Sequence, residues 1–174
     1  MTPFIKYIQN EQHYSQVLMQ SLLVKTSLWI GTADIKDLHA KEGASTIPFL
    51  GLLSRVIAKG VNVRLLHAKE PGSLFRNDFD RYPNLAKNLE RALCPRVHFK
   101  LIIFDLQSVY IGSANLTGAA LGMKSAKKRN FEAGILTNHP QLMESALNQF
   151  DLVWQGSHCR DCDRKAYCGD RINA

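Results

Sequence analysis

Residues 97–104 and 108–114 are two short apolar runs separated by the turn-prone Asp105-Leu106-Gln107-Ser108, and this pairing restricts the fold more than any other stretch. Ile, Leu and Phe dominate the first run, and the pattern predicts two strands joined as a β-hairpin. Polar residues are set into the hairpin at fixed intervals. Successive strand side chains point to opposite faces, so His98 and Lys100 share a face, as do Ser113 and Asn115 on the return. An imidazole, an ammonium, a hydroxyl and a carboxamide offer a phosphoryl group a nucleophile or proton carrier and donors for its equatorial oxygens. Such a set needs no carboxylate cage for Mg²⁺. Asp105 falls at the strand end, where Asp commonly caps a turn, which predicts an architectural role rather than proton transfer.

The remaining chain supplies a scaffold for that hairpin. Residues 11–24 carry Tyr14, Val17, Leu18 and Leu22 at helical spacing, and residues 27–33 read as a buried strand. Residues 34–46 are polar and predict a loop. Residues 48–59 predict a helix ended by Gly60 as a left-handed cap, followed by a strand over 61–66. Residues 73–93 read as partly helical, broken at Pro83. After the hairpin come a short helix over 116–125, a strand over 130–137, and a helix from Pro140 towards Trp154. This order implies an α/β domain in which a mixed sheet of about five strands is covered by helices.

His98, Lys100, Asp105, Gly112, Ser113 and Asn115 fill every position of H-x-K-x4-D-x6-G-S-x-N. In this respect the chain resembles the phospholipase D superfamily, and the resemblance extends over about residues 27–154. Residues 58–66 resemble the family's helix end and following strand, and Asn130-Phe131-Glu132 resembles its downstream N-x-E strand. The resemblance implies the family's α-β-α layered fold and a phosphodiesterase that works through a phosphohistidine. It also implies that Glu132 supports the site histidine.

A second signature is missing. His67-Ala68-Lys69 imitates the opening, but Asp78 falls too late and no Gly-Ser-x-Asn follows. Hydrolysis through a covalent intermediate needs a nucleophile on one side of phosphorus and an acid for the leaving oxygen on the other. In the superfamily these are histidines from two motif copies, so one copy per chain implies a homodimer sharing its cleft. The expected activity is that of a metal-independent nuclease on DNA. Two alternatives stand beside it: a phospholipid phosphodiesterase or phosphatidyl transferase, and a non-catalytic nucleic-acid-binding module.

Charge agrees with an anionic partner. The 174 residues carry a net charge of +7 with a pI near 9.4, favouring nucleic acid first and an anionic membrane surface second. Lys124, Lys127, Lys128 and Arg129 precede Asn130 and predict a basic lip for a polyanion. The 45% hydrophobic content suits one domain with a small appendage, here a catalytic domain over 1–154 and a cysteine-rich tail over 155–174. No run is apolar for long enough to span a bilayer, and the first residues lack a signal-peptide pattern, so the expected compartment is the cytoplasm.

Cys159, Cys162 and Cys168 crowd into the tail as C-x2-C-x5-C, and Cys94 lies just upstream of His98. In a reducing compartment such crowding predicts a metal site rather than disulfides. Thiolates at this spacing suit Zn²⁺ or an iron–sulfur cluster, with His158 replacing Cys94 as an option for zinc. A zinc ribbon normally presents two C-x2-C knuckles and only one is present. The spacing with one remote cysteine resembles the [4Fe–4S] staple of RecB-like nucleases, which favours a structural cluster over zinc.

Overall fold

A computed structural model describes residues 2–36 and 38–170; residues 171–174 of the expected tail lie outside the described residues. In chain order the elements are β1 (Ile5–Gln9), β2 (Ser27–Thr32), β3 (His39–Glu42), β4 (Ser45–Pro48), α1 (Phe49–Ala58), β5 (Asn62–His67), α2 (Ser73–Asp80) and α3 (Pro83–Asn88). They continue with β6 (Leu89–Leu93), β7 (Lys100–Phe104), β8 (Ser108–Gly112), β9 (Ala133–Thr137) and α4 (Pro140–Trp154).

Alternation along the central strands sorts side chains into two packed layers. Leu28 and Ile30 of β2, Val63 and Leu65 of β5, and Ile102 and Phe104 of β7 join Phe49, Leu53 and Val56 of α1 in one core. The alternate residues Leu101, Ile103 and Val109 pack with Met143, Ala146 and Phe150 of α4. The ring of Phe150 stacks on Trp29 at 5.3 Å, so α4 is held by an aromatic contact as well as by aliphatic burial. The result is the expected α-β-α layering, with a mixed sheet between helical faces.

The sheet has seven strands in the order β1-β9-β8-β7-β2-β5-β6, and β3 with β4 forms a separate two-stranded sheet. Only β2, β5 and β6 run parallel to one another; the other pairs are antiparallel. The expected count of about five strands was therefore too low. Strand β1 had no apolar alternation to reveal it, because only Ile8 of its five residues is buried. Strand β6 lay hidden in the stretch read as partly helical. Pro83 opens α3, and the chain then turns directly into pairing with β5.

Three further expectations need correction. Residues 11–24 form a π-helical turn over Tyr14–Leu18 and a 3₁₀ turn over Gln20–Leu22, with Met19 N–H donating to the Tyr14 carbonyl at 3.0 Å. Residues 34–46 are not simply a loop, since they contain β3 and begin β4, joined through Gly43 at φ 59°. Residues 116–125 make consecutive turns rather than a helix; Gly122, at φ 75°, lies against the backbone of Glu11, where a helical residue would not fit.

Candidate active site

The hairpin ends where its polar residues begin. Lys100 is the first residue of β7 and faces Gly112, the last of β8. Ser113, Ala114 and Asn115 then leave the sheet beside Glu132, which precedes β9. Thr32 closes β2 at the same sheet edge. Five strand ends therefore gather the candidate residues: those of β1, β2, β7, β8 and β9.

His98 lies two residues before β7, so its position follows from the turn before the strand rather than from strand alternation. That turn is closed by Val97 N–H donating to the Cys94 carbonyl at 3.0 Å, and His98 itself is exposed. Lys100 Nζ donates to the His98 carbonyl at 2.7 Å and stands 3.5 Å from its Nδ1. Burial lowers the Lys100 pKa from the ordinary lysine value, and the nearby Glu132 carboxylate partly restores it. The ammonium is a less firmly protonated cation than a surface lysine.

Glu132 anchors a compact network. Ser113 Oγ donates to one of its carboxylate oxygens, and Asn130 Nδ2 donates to the other at 3.0 Å. Ser113 Oγ also accepts the Ala133 N–H at 3.1 Å. Among the described residues Glu132 thus contacts Ser113 and Asn130 and makes no hydrogen bond to His98. Asn10, at φ 48°, donates its N–H to the Glu132 carbonyl at 3.0 Å and accepts the Glu132 N–H on its side-chain Oδ1 at 3.3 Å, which holds that residue's peptide in place.

Asn115 is fixed through its acceptor end. Its Oδ1 accepts the Asp34 N–H at 3.1 Å and the Thr32 hydroxyl at 3.3 Å. That arrangement commits the carboxamide oxygen to the protein and makes the NH₂ the group available for a ligand oxygen. Thr32 and Asn10 carry no motif signal in the sequence.

Glycine at position 112 has a steric cause. Gly112 and Gly134 are register partners on β8 and β9, and the Tyr110 ring lies across both. A Cβ at Gly112 would collide with the Tyr110 hydroxyl and come within 2.7 Å of the Ala133 carbonyl. The Tyr110 hydroxyl in turn accepts the Ala114 N–H at 3.4 Å, so one buried ring supports the loop carrying Ser113 and Asn115.

Asp105 is not brought to this cluster. It sits at the opposite end of β7, at φ 52°, where its carboxylate accepts hydrogen bonds from the N–H groups of Lys25, Thr26 and Ser27 and from the Thr26 hydroxyl. Burial pushes its pKa up, but these bonds outweigh it and hold the carboxyl below its ordinary value. The residue locks the hairpin turn to the entry of β2.

His67 of the imitation motif is fully buried, bonded through Nδ1 to the Lys69 carbonyl at 2.7 Å. Lys124, Lys127 and Lys128 are exposed on the turns before Asn130, whereas Arg129 is half-buried and ion-paired to Glu11 at 3.4 Å. Arg129 therefore helps pack the lip and is not a free cation. Cys94, Cys159, Cys162 and Cys168 line one cavity at the other side of the 94–99 segment.

The family described as "Cardiolipin synthase, PLD-like domain" matches residues 11–154. Among solved structures, the chain is similar to Nuc from Salmonella typhimurium, a phospholipase D family member. The TM-score is 0.63 at 22% identity, covering 88% of this chain and 95% of that one. It is similar to NucT from Helicobacter pylori with a TM-score of 0.61 at 15% identity, covering 85% and 94%. Half of the archaeal chromatin protein TrmBL2, described with a novel mode of DNA binding, also superposes. There the TM-score is 0.58 at 14% identity, covering 86% of this chain and 51% of that one. No curated protein sequence matches the chain. With the whole H-x-K-x4-D-x6-G-S-x-N pattern mounted on a seven-stranded mixed sheet, and with that match over residues 11–154, the chain belongs to the phospholipase D superfamily.

Proposed function

We propose that the protein is a phosphodiesterase that cleaves nucleic acid, with DNA as the favoured substrate, in a site shared by two copies of the chain. The supporting observation is the grouping of Lys100, Ser113 and Asn115 at one open sheet edge beside an exposed His98. A phosphate seated there meets the Lys100 ammonium and the Asn115 carboxamide NH₂, donors that stabilise charge on its equatorial oxygens, while Ser113, whose one hydroxyl proton goes to Glu132, lines the site beside them. In this reading His98 forms a bond to phosphorus as the bond to the leaving oxygen breaks. His98 of a second copy gives its proton to that oxygen. It then takes a proton from water, whose oxygen displaces His98 and regenerates both imidazoles.

A lone chain exposes one face of such a phosphate to solvent. Phe131, between Asn130 and Glu132, is 95% exposed, an uncovered apolar ring beside the site that supports the pairing of two copies. The exposed lysines of the 124–128 turns add attraction for a polyanion. Among the described residues no helix is long and apolar enough to cross a membrane.

The test is incubation of pure protein in excess EDTA with labelled single-stranded DNA, duplex DNA, RNA and phospholipid vesicles. Cleavage of DNA that persists in EDTA and disappears in His98→Ala supports the proposal. Strict dependence on Mg²⁺ overturns the mechanism, and turnover of vesicles alone transfers the assignment to the lipid chemistry that the matched family's description mentions. Sedimentation and mixed dimers address the shared site: wild type mixed with His98→Ala should lose activity severely, and a fully active monomer overturns it.

A further inference from the structure

Cys94, Cys159, Cys162 and Cys168 come from two distant stretches of chain, yet all four line one cavity of about 200 Å³ between the 94–99 segment, the end of α4 and the tail. The tail is held against the end of β6 by hydrogen bonds involving two of its residues. Asp170 accepts the Leu93 N–H at 2.7 Å, and Cys168 Sγ donates to the Leu93 carbonyl at 3.6 Å. Cys94 is fixed by its own N–H, which donates to the His67 carbonyl at 2.9 Å. From this convergence we infer that the four thiolates hold a polynuclear iron–sulfur cluster of the [4Fe–4S] type.

The lining of the cavity favours a cluster over a single ion. A zinc ion with Zn–S bonds of about 2.3 Å draws four tetrahedral sulfurs to within about 3.8 Å of one another and fills the space between them. Among the described residues no three His, Cys, Asp or Glu side chains are grouped tightly enough to hold one ion. The four cysteines line one cavity of about 200 Å³, and in a cluster each thiolate meets a different iron, so the sulfurs need not converge on one point. Their mutual proximity is still felt. Burial, reinforced by Cys94 and Cys159, raises the Cys168 thiol, while the Asp170 carbonyl that its S–H meets works the other way.

The lining suits such a guest. Phe99 and Val153 provide apolar wall, and Arg96 and Lys165 bring positive charge to a centre made negative by its thiolates. The Arg164 N–H donates to Cys162 Sγ at 3.4 Å, a bond of the kind that tunes sulfur ligands. On binding, each thiol releases its proton to solvent and its sulfur donates to one iron, the cluster arriving preformed or built from four ferric ions and four sulfides with two electrons supplied by an external thiol.

The position gives the cluster a mechanical task. Cys94 and Phe99 bracket His98, and the Phe99 ring presses on Gly31 of β2, where a Cβ would clash with it. The cluster thereby ties the segment carrying His98 to the tail. Its loss loosens the position of His98 without removing any group from the phosphate site.

Metal and sulfide analysis of protein purified without oxygen tests this separately from any cleavage assay. The expected protein is brown, with about four irons and about four acid-labile sulfides per chain. His158→Ala should keep that content, and Cys162→Ala should lose most of it. Because Cys162→Ala can fail by misfolding, wild-type protein stripped by oxidation and chelation provides the second measurement. Ferric iron with sulfide and excess thiol, in the absence of oxygen, should restore the colour and raise the melting temperature, and zinc should not restore the colour. A colourless protein with one zinc per chain overturns the cluster. Loss of iron in His158→Ala overturns the four-thiolate ligand set. Absence of both metals, with four freely titratable native thiols and no uptake on reconstitution, overturns the site altogether.

Discussion

Lys100 spends its strongest hydrogen bond, 2.7 Å, on the backbone carbonyl of His98, the residue that the proposed mechanism makes the nucleophile. The ammonium therefore fixes the turn presenting the imidazole before any phosphate arrives. Substitution at Lys100 then affects two things, the grip on phosphate oxygens and the placement of His98. Lys100→Ala and His98→Ala should each reduce DNA cleavage in EDTA by at least about 10²–10⁴-fold, the scale of one acid–base contribution. Circular dichroism should show both variants folded, and cleavage by His98→Ala at the wild-type rate would remove the imidazole from the mechanism.

The pH dependence follows from Glu132. Burial lowers the Lys100 pKa and the Glu132 charge raises it part of the way back. Charged Lys100 is needed to bind phosphate, so activity should fall on the alkaline side at a pH below the ordinary lysine range. Glu132→Gln removes the raising influence, and the alkaline limb should move to lower pH while overall activity also drops. A pH–rate profile of single-turnover cleavage reads the limb directly. A limb that stays in place or moves upward would show that Glu132 does not act on Lys100.

Asp105 predicts a stability effect at the far end of the same strand. Its folded-state pKa is depressed, so its contribution is fully present above the ordinary value of about 3.9 and is lost as pH falls through the lower folded value. Asp105→Ala should cost about 1.5–3 kcal/mol at neutral pH, the range for hydrogen bonds to a charged group. The gap between wild type and variant in urea titrations should narrow in the acid range. A gap unchanged from pH 7 down to pH 2 would deny the carboxylate its role.

Gly112→Ala drives a methyl group into the Tyr110 ring and the Ala133 carbonyl. Overpacking of this kind costs about 1–3 kcal/mol and should displace the loop bearing Ser113 and Asn115. Gly72→Ala is the control, because a Cβ there meets nothing within 4 Å. Thermal melts of the two variants should differ clearly; equal melting temperatures would mean that Tyr110 can move aside freely.

Long periodic or strongly apolar stretches were readable from sequence: α1, β2, β5, β7 and α4 lie where apolar spacing placed them, within a few residues. Strand β1 escaped because an edge strand with one buried residue has no two-sided pattern. The turns after Asn115 imitated a helix because Leu116, Ala120 and Leu121 are buried at helical spacing, though Gly118 and Gly122 bend the chain otherwise. At the site, the spacing exposed every motif residue but not its partners. Thr32 and Asn10 reach Asn115 and Glu132 only through sheet topology, and that lies beyond local pattern. The separation of Asp105 from the phosphate residues was foreseeable from its turn chemistry alone.

The hydrogen bonds that hold Asp105 give the signature an unexpected reading as a measuring device. Five residue steps along an extended strand cover about 17 Å, so the gap between Lys100 and Asp105 is the length of β7. The next gap is the return journey, ending at the glycine opposite Lys100. The spacings in the pattern thus record a scaffold, not a reaction: one end is clamped so that the other arrives at the right place. A two-residue insertion in either arm would leave every reactive group in the sequence and still misplace it by roughly 7 Å, at about 3.4 Å per residue.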